Sequence, residues 1–141
     1  MFEFHGWASV QYHTHDIDSS LQDQCWQHLV NYVATIPNSL VHLQRCNGCD
    51  SLSVAGQHNH RSNYIIELFQ WVAEHASGSY GLLYVRDDED DSRNGNFSNE
   101  FRVWRLCRGR LTECDDPFLS PVIPTIEDPY DLSLDDRTEL K

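Results

Sequence analysis

Residues 78–91 constrain this chain more than any other stretch: Gly-Ser-Tyr-Gly-Leu-Leu-Tyr-Val-Arg runs straight into Asp87, Asp88, Glu89, Asp90 and Asp91. Leu82, Leu83, Tyr84 and Val85 form a short apolar run bounded by glycine and charge, the pattern of a strand buried on both faces. Gly78 stands where a helix ending just upstream needs a left-handed residue. The five acids are expected in an exposed loop, solvated or paired with something basic, because unpaired charge does not tolerate burial. One segment thus specifies a central strand and the most charged loop of the chain.

The rest is arranged around that strand. Residues 2–12 alternate loosely and are rich in aromatics, which predicts a first strand with Gly6 as a bulge or a point of close backbone approach. Ser19 with Gln22, and Ser20 with Asp23, resemble capping boxes. Leu21, Cys25, Leu29, Val33 and Ile36 then recur at helical spacing until Pro37. Residues 40–46 and 49–55 read as strands joined by Asn47-Gly48, since a type I′ turn needs positive φ at both central positions. Residues 57–61 make a polar connection. Ile65, Leu68, Phe69, Val72 and Ala76 stripe a second helix over 62–77, and 99–107 with 110–114 form a hairpin turning at Gly109. The order βαββαβββ predicts an α+β fold, a single sheet of about six strands with two helices packed on it.

Pro117, Pro121, Pro124 and Pro129 forbid regular structure near the C-terminus. Phe118, Leu119, Val122, Ile123 and Ile126 lie between them, so this part is expected to pack as an extended strap. Residues 1–130 are expected to form one domain and 131–141 an acidic, frayed tail.

The net charge of −12 is unevenly distributed, with −5 in Asp87 to Asp91, −6 from Asp115 onward and −1 in everything else. A phosphate backbone demands a basic footprint, so nucleic acid is excluded as the expected partner. A basic protein surface fits better, because such patches steer opposite charges together. No apolar run approaches the ~20 residues that span a bilayer. The first residues lack the basic and apolar regions of a signal peptide, and the odd count of five cysteines suits reduced thiols; a cytoplasmic protein is expected.

The chemistry-bearing residues are sparse. Cys46-Asn-Gly-Cys49 has zinc-ligand spacing, but Cys107 and Cys114 are separated by six residues and make no second tight pair. His13-Thr-His15 and His58-Asn-His60 each place two imidazoles on one side of an extended segment, without a telling third ligand. His58, His60 and Arg61 sit at the mouth of the second helix, where polar residues often form contact surface. Asp87 to Asp91 lack the alternation of a calcium loop. Cys25 lies on an apolar helical stripe and reads as core. No nucleophile elbow, P-loop or dinucleotide-binding glycine pattern occurs. No cofactor and no metal requirement are expected.

Several stretches together resemble the immunity protein 7 family of bacterial polymorphic toxin systems. They are Phe2-Glu-Phe-His-Gly-Trp7, Asn59-His-Arg-Ser-Asn63, residues 78–90, Asn99-Glu-Phe101, Asp116-Pro-Phe-Leu-Ser-Pro121 and Ile123-Pro-Thr-Ile-Glu-Asp128. The resemblance implies a non-enzymatic cytosolic antidote that binds a cognate toxin domain and occludes it. An acidic antidote suggests a basic toxin surface, met by Asp87, Asp88, Glu89, Asp90, Asp91, His58, His60 and Arg61. Two other readings stay open: a metal-dependent hydrolase using His58, His60 and the Asp87–Asp91 region, and a regulatory interaction module.

Overall fold

The computed structural model describes residues 1–123 and Ser133. Two tight turns fold the outer parts of the sheet. Asn47 and Gly48 take φ of 52° and 74°, and Arg108 and Gly109 take 51° and 74°, so both are the positive-φ pairs of a two-residue hairpin. The first joins β2 (Val41–Cys46) to β3 (Cys49–His58). The second joins β5 (Arg102–Cys107) to β6 (Arg110–Asp115).

Between these hairpins lie β1 (Phe2–Ser9) and β4 (Tyr80–Asp87), giving the order β2-β3-β1-β4-β5-β6 with every pair antiparallel. The predicted α+β architecture and element order hold, and β4 is central as expected. Gly6 keeps an unbroken register opposite Val54 and Leu83. A Cβ there would meet Leu83 Cδ1 at 2.8 Å, so close approach, not a bulge, is the reason for glycine.

Helix α1 (Ser19–Ala34) begins at a residue other than those predicted. Asp18 is the N-cap, its Oδ1 accepting from the Ser20 and Leu21 amides at 2.9 and 3.1 Å. A carboxylate at the positive end of a helix outcompetes a serine hydroxyl. Gln22 is thereby freed to accept from Tyr12 N–H and to donate to Val10 O and Asp50 Oδ2. Helix α2 (Tyr64–His75) is two residues shorter at each end than its pattern suggested, and Ile65, Leu68, Phe69, Val72 and Ala76 are all fully buried.

These helix residues join Cys25, Trp26, Leu29, Phe2, Phe4, Ala8, Leu52, Val54, Leu83 and Val85 in one core. Each fully buried Phe or Leu contributes roughly 1.5–3 kcal/mol. The strand members alternate, which places both helices on one face of the sheet. β4 is therefore half-buried rather than buried on both faces: Gly81, Leu83, Val85 and Asp87 point to the helices, and Tyr80, Leu82, Tyr84 and Arg86 point away. Gly78 does not have positive φ either; a Cβ on it would run into the backbone carbonyl of His13.

The described part of the expected extended strap lies against residues 99–101, and it is held there by polar contacts. Asp116 accepts from the amides of Phe118 and Leu119 and from the Ser120 hydroxyl. Asn99 accepts from Ile123 N–H at 2.7 Å and donates to Ile123 O at 3.0 Å. Phe118 meanwhile remains 78% exposed. Ile126 and the 131–141 tail lie outside the described residues.

Candidate functional site

The start of β1 and the far ends of β3 and β4 meet at one end of the sheet. Phe2 pairs with His58 on one side and with Asp87 on the other, so antiparallel register alone brings the two predicted segments together. His60 Nδ1 lies 2.7 Å from Glu89 Oε1, and Arg61 Nη1 donates to Asp87 Oδ2 at 3.2 Å. Arg61 also lies over the Phe2 ring at 5.6 Å. His58 turns inward, its Nε2 2.8 Å from the Tyr64 hydroxyl and its ring 5.5 Å from Phe4. Seven of the eight predicted residues thus enter a shared network or its immediate turn; Asp91 stands exposed at its edge.

The acidic run is not one exposed loop. Asp87 belongs to β4 and is 6% exposed, its Oδ1 accepting from the Glu89 amide while Arg61 holds the other oxygen. Asp90 is also buried and is clamped by Arg93 through Nε and Nη2. Each buried carboxylate has its own arginine, which is what allows it to be buried at all. Asp88 binds the Met1 ammonium at 2.7 Å. That contact holds the Asp88 carboxyl below its ordinary value and raises the ammonium. The exposed acids of this end are therefore Asp88, Glu89 and Asp91, of which Asp88 is compensated by the Met1 ammonium.

Arg93 continues the network to β6. It donates to Glu113 Oε2 and Oε1 at 2.8 and 2.6 Å, and Arg102 donates to Glu113 Oε1 and Asp115 Oδ1. Arg93 draws the Glu113 carboxyl below its usual range, against the opposing effect of burial. Phe97 lies under Arg102 at 4.1 Å and under Arg93 at 5.5 Å. The loop carrying the acids is fastened at both ends, so its exposed carboxylates are presented from a fixed frame.

The metal-ligand candidates do not converge as a hydrolase would require. Among the described residues, only Asp87, Asp88 and Glu89 bring three ligand atoms within 4.8 Å of one another, and neither His58 nor His60 is in that group. Cys46 faces Cys49 across the first hairpin, while Cys107 and Cys114 belong to β5 and β6, with β1 and β4 in between. His13 Nδ1 is engaged locally by the His15 and Asp16 amides. Burial, with the charge of Asp50, pushes the Cys25 thiol up, as suits a core residue and not a nucleophile.

The description immunity protein 7 matches residues 1–128. The chain belongs to the immunity protein 7 family. Membership of that family carries toxin neutralisation through binding of a cognate toxin domain, in proteins that are generally non-enzymatic inhibitors. No curated protein and no solved structure matches the chain. Among the described residues, no helix is long and apolar enough to cross a membrane.

Sequence reading missed a second surface of this immunity protein, the sheet face that no helix of the described residues covers. On β1 it carries Glu3, His5, Trp7 and Ser9, and on β4 it carries Tyr80, Leu82, Tyr84 and Arg86. Trp7 and Tyr80 are each 47% exposed and meet edge-on at 6.1 Å. Tyr84 and His5 lean on Phe101 at 5.8 and 6.4 Å. The available signal was the parity of the first strand: Phe2 and Phe4 assign even positions to the core, which leaves Trp7 outside.

Proposed function

We propose that this protein neutralises its cognate toxin by occlusion, covering the toxin's active site or the path of its substrate while contributing no chemistry of its own. Family membership over residues 1–128 carries the reading. The site geometry supports it, because the described charged groups at this end of the sheet are paired with one another and held in a fixed frame. The toxin surface facing Asp88, Glu89 and Asp91 is basic, as the surface of a nuclease must be to hold its phosphate substrate. The complex forms in the cytoplasm of the producing cell.

The test is co-expression with the cognate toxin domain. Growth should be rescued by the antidote, and the purified pair should be inactive until an excess of free toxin is supplied. A catalytically dead toxin should bind equally well. Rescue without a stable complex, or chemical modification of the toxin by this protein, would defeat occlusion.

A further inference from the structure

The sheet face left without a helix among the described residues differs in charge from the rest of this acidic protein. Its middle is apolar and aromatic, formed by Trp7, Tyr80, Leu82 and Tyr84, and its Glu3–Arg86 pair, with Nε and Oε1 at 3.5 Å, neutralises itself. Exposed Arg105 lies on the same face: it sits opposite Leu82 on β5. Arg110 stands opposite Cys107, which is itself opposite Tyr80. Arg108 lies in the turn between them. The ion pairs of the described residues take Arg45, Arg61, Arg86, Arg93 and Arg102 and leave Arg105, Arg108 and Arg110 out. Antiparallel register places these three cations at the end of the strands opposite to Asp87–Asp91.

Trp, Tyr and Arg are the residue types that dominate binding energy in protein interfaces, above all where an aromatic centre is rimmed by charge. The open part of the face is its Trp7–Tyr80 end together with Ser53, Ala55 and Gln57 of β3, because Phe101 and Val103 beside Tyr84 are each only 7% exposed.

We infer that the toxin docks on this outward sheet face, laying an apolar projection against the Trp7–Tyr80 pair and setting carboxylates against Arg105 and Arg110, while its basic part faces Asp88, Glu89 and Asp91. This rests on the immunity reading and adds the surface and the chemistry of the partner. Opposite charge at the two ends of the strands admits the toxin in one orientation only, since a reversed approach sets like charges together.

Hydroxyl-radical footprinting of the wild-type protein, free and with the toxin domain, tests the placement without any substitution. Trp7 and Tyr80 should be oxidised readily in the free monomer and protected in the complex. Trp7→Ala with Tyr80→Ala should weaken binding at least 100-fold, and Arg105→Glu with Arg110→Glu about 10-fold, with unchanged melting temperatures. Unprotected rings in a complex that does form would overturn the surface while leaving the immunity reading intact; absence of any complex would overturn both. Low oxidation of the free monomer would show that the chain covers this face itself. Protection that grows with protein concentration alone would assign it to a second copy. Either of those outcomes also overturns the proposal.

Discussion

Gly81 leaves no room for a methyl group. A Cβ there would run into the backbone carbonyl oxygen of Trp7, and Ala8 Cα would stand 2.7 Å away. Neither neighbour is a side chain able to turn aside. Gly81→Ala is therefore expected to lower stability by about 1–3 kcal/mol, read as an earlier urea midpoint, and an unchanged midpoint would show that the strands can separate at no cost. Asp50 offers a test through pH. Burial pushes its carboxyl up, but hydrogen bonds from Arg45 and Gln22 outweigh that and hold it below its ordinary value. A carboxyl depressed in the folded state stabilises fully above its unfolded value of ~3.9 and loses that contribution as pH falls through the folded value. Asp50→Asn should cost about 1–3 kcal/mol at pH 6 and flatten the acid limb of a stability–pH curve below pH 4. An acid limb that is identical in the variant would place the sensitivity elsewhere.

At the scale of elements, the features legible in the sequence were those decided locally. The Asn47-Gly48 turn follows from backbone sterics at two residues, and the α2 stripe from spacing within one helix. Features that depend on distant partners were not legible. Whether Leu82 and Tyr84 are covered depends on which side the helices settle, and nothing in residues 78–91 encodes that. Asp87 looked like a loop residue because its partner, Arg61, lies 26 positions away. Asp90 was misread although Arg93 stands only three residues on. Apolar composition did not show what ties the segment after β6, which is held by Asn99 and Asp116 while Phe118 and Leu119 face solvent. Asn99→Ala should thus accelerate hydrogen exchange at the Ile123 amide while leaving that of Val122, bonded to the Asn99 backbone carbonyl, the slower of the two. Equal exchange in variant and wild type would mean that the side chain is not what holds Ile123.

At the scale of the whole molecule, charge separates along the strands, and the acidic end should govern how fast the toxin arrives. Replacing Asp88, Glu89 and Asp91 by their amides, with buried Asp87 and Asp90 kept, should slow association and flatten its dependence on ionic strength. Steering acts on the association rate and is screened over ~8 Å at physiological salt. An association rate that stays the same from low to high salt in both proteins would exclude that role. The position of β1 has a different consequence, in time. The first strand made is the middle of the finished sheet, and its two neighbours end at His58 and Asp87. At ~5–20 residues per second, Phe2, Phe4 and Trp7 wait roughly 4–16 s during synthesis before β4 exists to pair with them. Each hairpin can close within microseconds of its own completion, but the sheet cannot be joined until the ribosome has passed Asp87. A chain truncated before Tyr80 should therefore leave one edge of β1 unpaired and fail to rescue growth when co-expressed with the toxin domain; rescue by that fragment would show that the outer half of the sheet suffices.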